Sequence, residues 1–213
     1  MENNVIYISY YTGNQYYRAA SESLKKSCES LGLNIHMENV KDLGAYWKNT
    51  LYKPSYILDK ILEFKKDVVW IDADTQLFSA PHDLREWKSD ILFASHTGEL
   101  GGIKASPLGF KNNSRSIEFL KDWSGTCLNK IKSGDVDFDH DVLKYEIMQK
   151  YVGKISAEIL GSSGKYIDYT DGSIIMNGIS RVPDKDIQTR IVINKNPSRS
   201  SEFRKLSIKN YEL

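Results

Sequence analysis

The sequence has little cysteine, almost no net charge and no long apolar run, and each shortage argues against a class of protein. Only Cys28 and Cys127 occur in 213 residues, each within a helix-like pattern, so neither a disulfide framework nor a cysteine metal site is predicted. The 29 basic and 28 acidic residues leave a formal net charge of +1. So small a charge gives no global field for a polyanion or an anionic membrane, and nucleic acid is not expected as a partner.

Signals for membrane insertion or secretion are not recognised either. No apolar run approaches the roughly 18 residues of a spanning helix, and Met1-Glu2-Asn3-Asn4 does not resemble a signal peptide. No repeat or low-complexity segment and no convincing linker divides the chain. We therefore expect a soluble, intracellular, cytoplasmic protein in which residues 1–213 form one domain, either alone or as one module of a longer protein.

Strand and helix patterns alternate through the first third of the chain. Val5–Tyr10 predicts a buried strand, apolar residues from Tyr17 to Leu31 recur at helical spacing, and Asn34–Met37 predicts a short second strand. Pro54 suits the first turn of a helix that reaches Leu62. Such alternation predicts an α/β fold with a mixed, mostly parallel central sheet flanked by helices, and ligands bind such folds beyond the carboxyl ends of the strands.

The pattern is weaker later in the chain. Residues 90–94 predict a strand, and the glycine-rich stretch 98–109, with Pro107 inside it, predicts a loop or an irregular strand. Further predictions are helices over 116–131 and 142–151, strands over 173–176 and 190–193, and a polar surface tail over 194–213.

Two carboxylates follow the third predicted strand, in the sequence Val68-Val69-Trp70-Ile71-Asp72-Ala73-Asp74-Thr75. Side chains alternate along a strand, so Asp72 and Asp74 are expected on one side, where they can share a cation. Hard ions such as Mg²⁺ or Mn²⁺ need only one or two carboxylates when water and substrate phosphates supply the other ligands. The alternative is that the two aspartates only end the strand by making turns.

These features resemble GT-A nucleotide-sugar glycosyltransferases, which have a Rossmann-like fold and an Asp-x-Asp metal motif. The likeness includes the strand opening, the Lys-Pro-x-x-Ile helix and the apolar strand before Asp72, and it extends over most of the chain. The small size is similar in particular to the compact glycosyltransferase domains of large DNA viruses of algae. Three further segments agree with the family: 109–113, Asp139-His140-x-x-Leu143 and Asn177-Gly178-Ile179-Ser180-Arg181.

The resemblance implies roles for individual residues. Asp74 would bind the metal directly, and Asp72 would reach the donor ribose and the metal. Lys53 stands where the family often has a basic residue near the diphosphate and the first motif aspartate. The remaining expected contacts with the nucleotide-sugar donor come from Tyr10, Tyr11 and Thr12 around the base, and from Asn177, which takes the place of a metal-binding histidine in many relatives.

Sugar transfer needs a neutralised leaving group and a group that acts on the sugar or the acceptor. A metal on the phosphate oxygens, with Lys53 or Arg181 nearby, would stabilise the departing diphosphate. Asp139 or Asp141 would deprotonate the acceptor hydroxyl if configuration inverts, or orient the sugar if it is retained. The sequence does not decide; our expectation is a retaining hexosyltransferase that uses Mn²⁺ or Mg²⁺ and a UDP-sugar, with a glycan or glycoprotein acceptor.

Simpler interpretations stand beside these. Lys53 could be a solvated lysine, at least one of Asp139 and Asp141 could cap the helix near Val142, and Trp70 and Trp123 are expected in the core. Tyr10 and Tyr11 point opposite ways, so one should face a ligand. Two other functions stay open: a non-catalytic sugar-nucleotide or glycan-binding module, and an aspartate-based Mg²⁺-dependent phosphohydrolase, whose motif normally follows the first strand.

Overall fold

Helices and strands alternate along the chain much as the sequence predicts. The computed structural model describes residues 4–13, 15–77, 84–95, 102–160, 167–170 and 173–176. The strands in these ranges are β1 Val5–Thr12, β2 Ile35–Val40, β3 Asp67–Trp70, β4 Gln76–Leu77, β5 Ile91–Ser95, β6 Ile103–Phe110, β7 Ala157–Leu160, β8 Ile167–Thr170 and β9 Ser173–Met176. The helices are α1 Gln15–Ser30, α2 Tyr46–Leu51, α3 Lys53–Phe64, α4 Ser114–Ser133, α5 Asp139–Asp141, a π-helical turn Val142–Ile147 and α6 Met148–Tyr151.

Six strands form the central sheet in the order β2-β1-β3-β6-β5-β7. Strand β6 runs antiparallel to both of its neighbours, and every other pair of adjacent strands is parallel. The sheet is therefore mixed and mostly parallel, as predicted. Because β1 and β3 run side by side in the same direction, their carboxyl ends open at the same edge of the sheet. A smaller sheet has the strand order β4-β9-β8.

Both faces of the central sheet are covered by helices. On one face, Ile8, Trp70 and Phe93 belong to a core that also includes Ile57 of α3 and Phe119 of α4. On the other face, α1 buries Leu24 and Cys28 against strand residues that include Tyr7 and Val69. Near-continuous apolar runs in β1 and β3 follow from this two-sided burial. Among the described residues, no helix combines the length and the apolar character needed to cross a membrane.

For the stretch 98–109 the sequence predicts either a loop or an irregular strand, and the loop prediction is wrong. Its described part contains β6, an eight-residue strand in the middle of the sheet, with a register shift opposite Phe93 and Ala94. The irregular-strand prediction is thus correct. Gly109 is needed within it, since a Cβ there would lie 3.0 Å from Leu92 Cβ and 3.1 Å from the Trp87 ring.

Other elements agree with the sequence or extend it. Gly32, with φ of +66°, follows the end of α1, and Pro54 lies in the first turn of α3 as predicted. Helix α2 was not predicted, because its six residues are too few to show a clear period. Cys28 and Cys127 are buried, free thiols. The predicted strand over 190–193 and the tail over 194–213 lie outside the described residues.

Candidate active site

The paired aspartates lie just beyond β3, at the carboxyl edge of the sheet. Strand β3 ends at Trp70, and the backbone N–H of Thr75 donates to the carbonyl of Asp72 at 3.0 Å, which closes a turn. Strand alternation therefore does not place Asp74, and that part of the sequence argument is wrong. The alternative interpretation, that these residues end the strand in a turn, describes the backbone correctly.

The Asp72 side chain is engaged from two sides. The Trp70 indole N–H donates to its Oδ1 at 2.7 Å, and Lys53 Nζ lies 2.9 Å from the same oxygen. Its backbone N–H donates to Ser106 Oγ at 2.9 Å. Trp70 and Asp72 are two residues apart, the spacing at which neighbouring side chains of an extended segment meet. Asp72 is thus fixed by residues from α3, β3 and β6, and ending the strand is only part of its role.

Lys53 is buried at the start of α3 and joins three segments of the chain. Its Nζ lies 2.9 Å from Asp72 Oδ1 and 2.6 Å from Asp139 Oδ2, and it donates to the carbonyl of Ala105 at 3.1 Å. Burial alone would lower the pKa of Lys53, but the charges of Asp139 and Asp72 overcome it and raise the pKa. Lys53 is therefore a charged, internal cation, and the solvated-lysine interpretation is wrong.

Asp139 reaches this cluster from the first turn of α5. The residue before it, Phe138, is the N-cap of α5, and neither Asp139 nor Asp141 makes a side-chain capping bond. The capping prediction is wrong because the helical segment begins three residues before Val142. Asp139 is 5% exposed, and its Oδ2 makes the 2.6 Å charge contact with Lys53 without hydrogen-bond geometry.

Two buried oxygens near the turn therefore have no well-formed hydrogen bond among the described residues, Asp139 Oδ2 and Thr75 Oγ1. Buried polar atoms without partners are rare in folded proteins and often mark a place where a ligand or an ion binds. Asp74 lies between Asp72 and Thr75 in sequence and is 5% exposed. The three buried or partly buried carboxylates Asp72, Asp74 and Asp139 are called the acidic cluster here, and their negative charge suits hydrogen-bond donors or a cation.

Tyr46, the first residue of α2, lies beside the acidic cluster. Burial raises the pKa of its hydroxyl, and the negative charges of Asp74, Asp72 and Asp139 raise it further, in that order. A single phenol thus senses all three carboxylates. Both motif aspartates thus act on one neighbouring phenol. That they share a cation stays a prediction.

The end of β1 places the three predicted base-contacting residues. Tyr10 is buried, with its ring centroid 5.0 Å from Trp70 and 5.1 Å from Tyr56, and its hydroxyl donates to the carbonyl of Asn49. Tyr10 therefore supports the site from the core. Tyr11 is half-buried on the opposite face, and Thr12 is buried at the strand end next to Val40 of β2.

The remaining predicted residues lie elsewhere or outside the described ranges. The Asp141 side chain is 45% exposed and lies 3.7 Å from His140 Nδ1. His140 Nε2 donates to the carbonyl of Ile103 at 2.7 Å, and burial lowers the pKa of this ring. Asn177 and Arg181 fall within residues 177–213, which the structure does not describe.

Some site residues were missed by sequence reasoning. Trp70 was expected only in the core, where it lies, but its indole also orients Asp72; its position two residues before the motif was the available signal. Tyr46 and Phe138 carried no motif, since their importance comes from tertiary contact between α2 and the segment before α5. Ser106 and Ala105 contribute through β6, which sequence reasoning left undecided between loop and strand.

The donor set suits a hard divalent cation that takes part of its coordination from a substrate. Across the described ranges, no group of three or more His, Cys, Asp or Glu residues is arranged as a metal cage. Mg²⁺ and Mn²⁺ sites of the predicted kind do not require one, because one or two carboxylates suffice when phosphate and water oxygens complete the shell. Asp72 and Asp74 are hard oxygen ligands, so the residues present fit such an ion.

Comparison with known proteins gives a fold relationship. No protein-family model matches the chain, and no curated protein matches it. A crystal structure of a glycosyltransferase involved in the glycosylation of the major capsid of PBCV-1 aligns with it at a TM-score of 0.55. The alignment covers 73% of this chain and 80% of the other, with 13% sequence identity. The two chains share a fold. The predicted Rossmann-like α/β class is confirmed.

Proposed function

We propose that the protein is a metal-dependent glycosyltransferase that moves a hexose or deoxyhexose from a nucleotide-diphosphate donor to a hydroxyl of a glycan or glycoprotein. The observation that carries the proposal is the convergence of Asp72, Asp74, Asp139 and Lys53 at the carboxyl edge of the sheet. Ligands of open α/β sheets bind at that edge. The likeness to a glycosyltransferase of the same fold supports the proposal.

Asp72 and Asp74 are the proposed metal ligands, with a GT-A type Asp-x-Asp arrangement. A bound Mg²⁺ or Mn²⁺ would neutralise the negative charge that grows on the leaving diphosphate, so no proton donor is needed there. The fixed orientation of Asp72, held by Trp70 and Lys53, means that little rearrangement is required when donor and ion bind.

Lys53 is proposed as a positioning residue. Three oxygens lie within 3.1 Å of its Nζ, and all three belong to the protein. A direct contact with the diphosphate would require one of them to be exchanged. Lys53 instead links the proposed metal ligand Asp72 to Asp139, so that both carboxylates keep one relative position.

Asp139 is the proposed residue that faces the transferred sugar. Its Oδ2 lies 2.6 Å from Lys53 Nζ without good hydrogen-bond geometry, so the carboxylate keeps lone-pair capacity for a sugar hydroxyl. A carboxylate used in this way orients the donor and stabilises positive charge on the sugar ring, which is the role expected in a retaining reaction. Asp141, half-exposed beside His140, is proposed for the acceptor side.

The nucleotide is proposed to lie along the end of β1. Tyr11 and Thr12 occupy that end, next to β2, and would contact the base of a UDP-sugar. Asn177 and Arg181 are proposed to reach the metal or the diphosphate. These assignments follow the family resemblance and stay proposals.

The test is turnover of nucleotide sugars by the purified protein. A transferase should release nucleoside diphosphate slowly from at least one donor when Mn²⁺ or Mg²⁺ is present, and chelation should abolish the release. Thermal stabilisation by a panel of UDP-, GDP- and CMP-sugars would identify the donor, because ligands that bind only the folded state raise the melting temperature. The anomeric configuration of the product, read by NMR, would decide between retention and inversion.

Other outcomes would assign the protein differently. Release of inorganic phosphate from a phosphate ester, with no cleavage of any nucleotide sugar, would favour the phosphohydrolase. Stabilisation by a sugar nucleotide or a glycan without turnover would favour a binding module. Either result would contradict the transferase proposal.

A further inference from the structure

Two aromatic side chains from different segments meet beside the acidic cluster and are open to solvent. Tyr46 is 44% exposed and Phe138 is 40% exposed, and their ring centroids are 6.1 Å apart with planes inclined at 53°. We call these two residues the aromatic pair. A tilted pair at this distance has the ordinary geometry of interacting rings. Large exposed aromatics in contact, next to charged groups, are typical of binding surfaces.

The segment that carries Phe138 is held in place by an ion pair of the neighbouring residue Asp137. Lys130 Nζ lies 2.9 Å from Asp137 Oδ2 and 2.8 Å from Glu146 Oε1, which ties the segment both to α4 and to the π-helical turn. Val136, in the same segment, is 69% exposed. The acidic residues thus anchor this segment while its apolar side chains face outward, so the presentation of Phe138 is built into the fold.

The segment before Tyr46 is anchored in a comparable way. The Asn49 amide accepts from the backbone N–H of Leu43 at 2.9 Å and donates to Asp42 Oδ1 at 3.0 Å. Gly44, which has φ of +82°, donates its N–H to the same Asp42 oxygen at 2.8 Å. The entry to α2 is therefore a fixed turn. Rigid aromatic groups lose little conformational entropy when a ligand binds.

The position of the aromatic pair suggests what it binds. Phe138 directly precedes Asp139, and the Tyr46 hydroxyl lies in the field of Asp72, Asp74 and Asp139. Carbohydrates combine an apolar face of C–H groups with a rim of hydroxyl donors, so they match an aromatic surface bordered by carboxylates. Tyr46 and Phe138 both keep a large exposed fraction, which suits a glycan that arrives from solvent.

We infer that the aromatic pair is a stacking platform for the carbohydrate acceptor, with Tyr46 and Phe138 as specificity-determining residues. This inference rests on the proposed glycosyltransferase function. It adds that the acceptor is a sugar rather than a bare hydroxyl of a protein side chain, and that it enters between α2 and the segment before α5. Tyr46 and Phe138 bind the acceptor ring and take no part in breaking the donor bond.

The experiment is saturation-transfer NMR on the purified protein with UDP and Mg²⁺. The probes are methyl glycosides of glucose, galactose, mannose, xylose, rhamnose and fucose. At least one glycoside should receive saturation, and Tyr46→Ala and Phe138→Ala should each weaken its binding about tenfold. Tyr46→Phe keeps the ring and should keep the signal. Tyr145→Ala is the matched control, since Tyr145 is a 61% exposed aromatic outside the pair.

Several results would overturn the inference. It fails if no glycoside receives saturation, or if binding survives in the Tyr46→Ala/Phe138→Ala double variant. It also fails if saturation transfer is seen only with UDP-sugars and is lost in the alanine variants, because the rings would then hold the donor. Melting temperatures would show that each variant is folded, and Tyr46→Leu and Phe138→Leu would replace any alanine variant that is not.

The outcome is separable from the proposed function. Metal-dependent release of UDP by the wild-type protein without ring-dependent glycoside binding would reject the platform alone. Ring-dependent glycoside binding without cleavage of any nucleotide sugar would reject the transferase and leave a glycan-binding module.

Discussion

Two buried carboxylate centres lie at opposite edges of the same sheet. One carboxylate, Asp90, accepts many hydrogen bonds from the protein, whereas the carboxylates of the other centre share one lysine. At the amino edge, Asp90 immediately precedes β5, and its side chain is 3% exposed. Its two oxygens accept from Arg115 Nε and Nη2 at 2.9 Å, Asn113 Nδ2 at 2.8 Å, Ser156 N at 3.0 Å and Ser156 Oγ at 2.7 Å. Burial opposes ionisation there, but the bonds from Arg115, Ser156 and Asn113 lower the pKa of Asp90.

At the carboxyl edge, two carboxylates depend on one cationic side chain. One ammonium group, Lys53, is shared by Asp72 and Asp139 together with a backbone carbonyl. Asp139 Oδ2 has charge contact without a well-formed hydrogen bond. Asp90 thus accepts hydrogen bonds from three residues, whereas the three oxygens around Lys53 Nζ share a single ammonium group.

The difference indicates which centre maintains the fold and which one serves a ligand. A carboxylate whose lone pairs are all used by the protein joins segments, in this case the start of β5, the start of α4 and the segment before β7. A buried carboxylate oxygen without a well-formed hydrogen bond, as at Asp139 Oδ2, can instead be completed by a cation or a sugar hydroxyl. Substitutions of the same kind at the two centres should therefore have opposite consequences.

The largest effect is expected from Asp74→Asn. Loss of a proposed metal ligand should reduce metal-dependent cleavage of the nucleotide sugar by about 100- to 1000-fold, the usual cost of losing one element of transition-state charge stabilisation. Rates are compared per folded molecule, with the melting temperature showing that the variant is folded. Initial rates of UDP release, with Mn²⁺ varied, provide the measurement. Asp59→Asn, on the exposed side of α3, is the matched control, and equal rates in the two variants would contradict the assignment.

Lys53→Met should lower stability the most. Removing the cation from a buried cluster leaves Asp72 and Asp139 without their shared partner, and losing one member of a buried pair costs about 3 kcal/mol or more. Urea unfolding at neutral pH would measure this. The variant should recover stability as the pH falls, because protonation of one carboxylate removes the repulsion.

The stability of the wild-type protein should depend on pH differently from that of Lys53→Met. The pKa of Lys53 is raised in the folded state, so its contribution is fully present below the unfolded value of about 10.4 and is lost only as pH rises through the higher folded value. Stability should therefore fall in strongly alkaline solution in the wild type, but not from this source in Lys53→Met. Identical alkaline profiles would show that the ion pairs contribute no stability.

Asp90→Asn should lower stability and leave turnover nearly unchanged, whereas Asp74→Asn should lower turnover. Replacing a carboxylate that accepts five bonds with an amide should cost about 2 kcal/mol of unfolding free energy, because donors then face a donor. Turnover per folded molecule should stay near the wild-type value. A large loss of turnover in a folded Asp90→Asn protein would show that the two centres are not distinct.

The pH dependence of this variant follows from the lowered pKa of Asp90. A group with a lowered folded pKa stabilises the protein above its unfolded value, about 3.9, and loses that effect as pH falls towards the folded value. The wild type should thus lose stability below about pH 4, and Asp90→Asn should lose less over the same interval. Acid titration followed by circular dichroism would compare them.

Much of this fold could be predicted because local pattern and tertiary environment agree. Apolar runs such as Val5–Tyr10 and helical periods such as 116–131 specify elements that the structure confirms. Strand β6 was left undecided between loop and strand because Pro107 and the nearby glycines are loop-like locally, whereas its pairing with β3 and β5 is a long-range property.

The site was predicted unevenly for a similar reason. Asp72 and Lys53 follow from motif and context, and the structure brings them to 2.9 Å. The roles of Trp70, Tyr46 and Phe138 depend on contacts between segments far apart in sequence, which no local pattern encodes. Asp139 was identified, but its alternative role as a helix cap failed because the helical segment begins earlier than its apolar period.

Trp70→Phe is the mildest way to test the comparison, since it removes one hydrogen bond from the acceptor-rich centre and keeps most of the packing. The indole N–H is the donor to Asp72 Oδ1 at 2.7 Å, so its loss should cost about 1 kcal/mol of stability and reduce turnover several-fold by loosening Asp72. Trp123→Phe is the control, because Trp123 is equally buried in the core and its indole N–H has no hydrogen bond among the described residues. If both variants lose stability to the same extent but only Trp70→Phe requires more Mn²⁺ for half-maximal turnover, the indole positions the proposed metal ligand. If the Mn²⁺ requirement is unchanged, Trp70 is only a core residue, and Lys53 and Ser106 fix Asp72 without it.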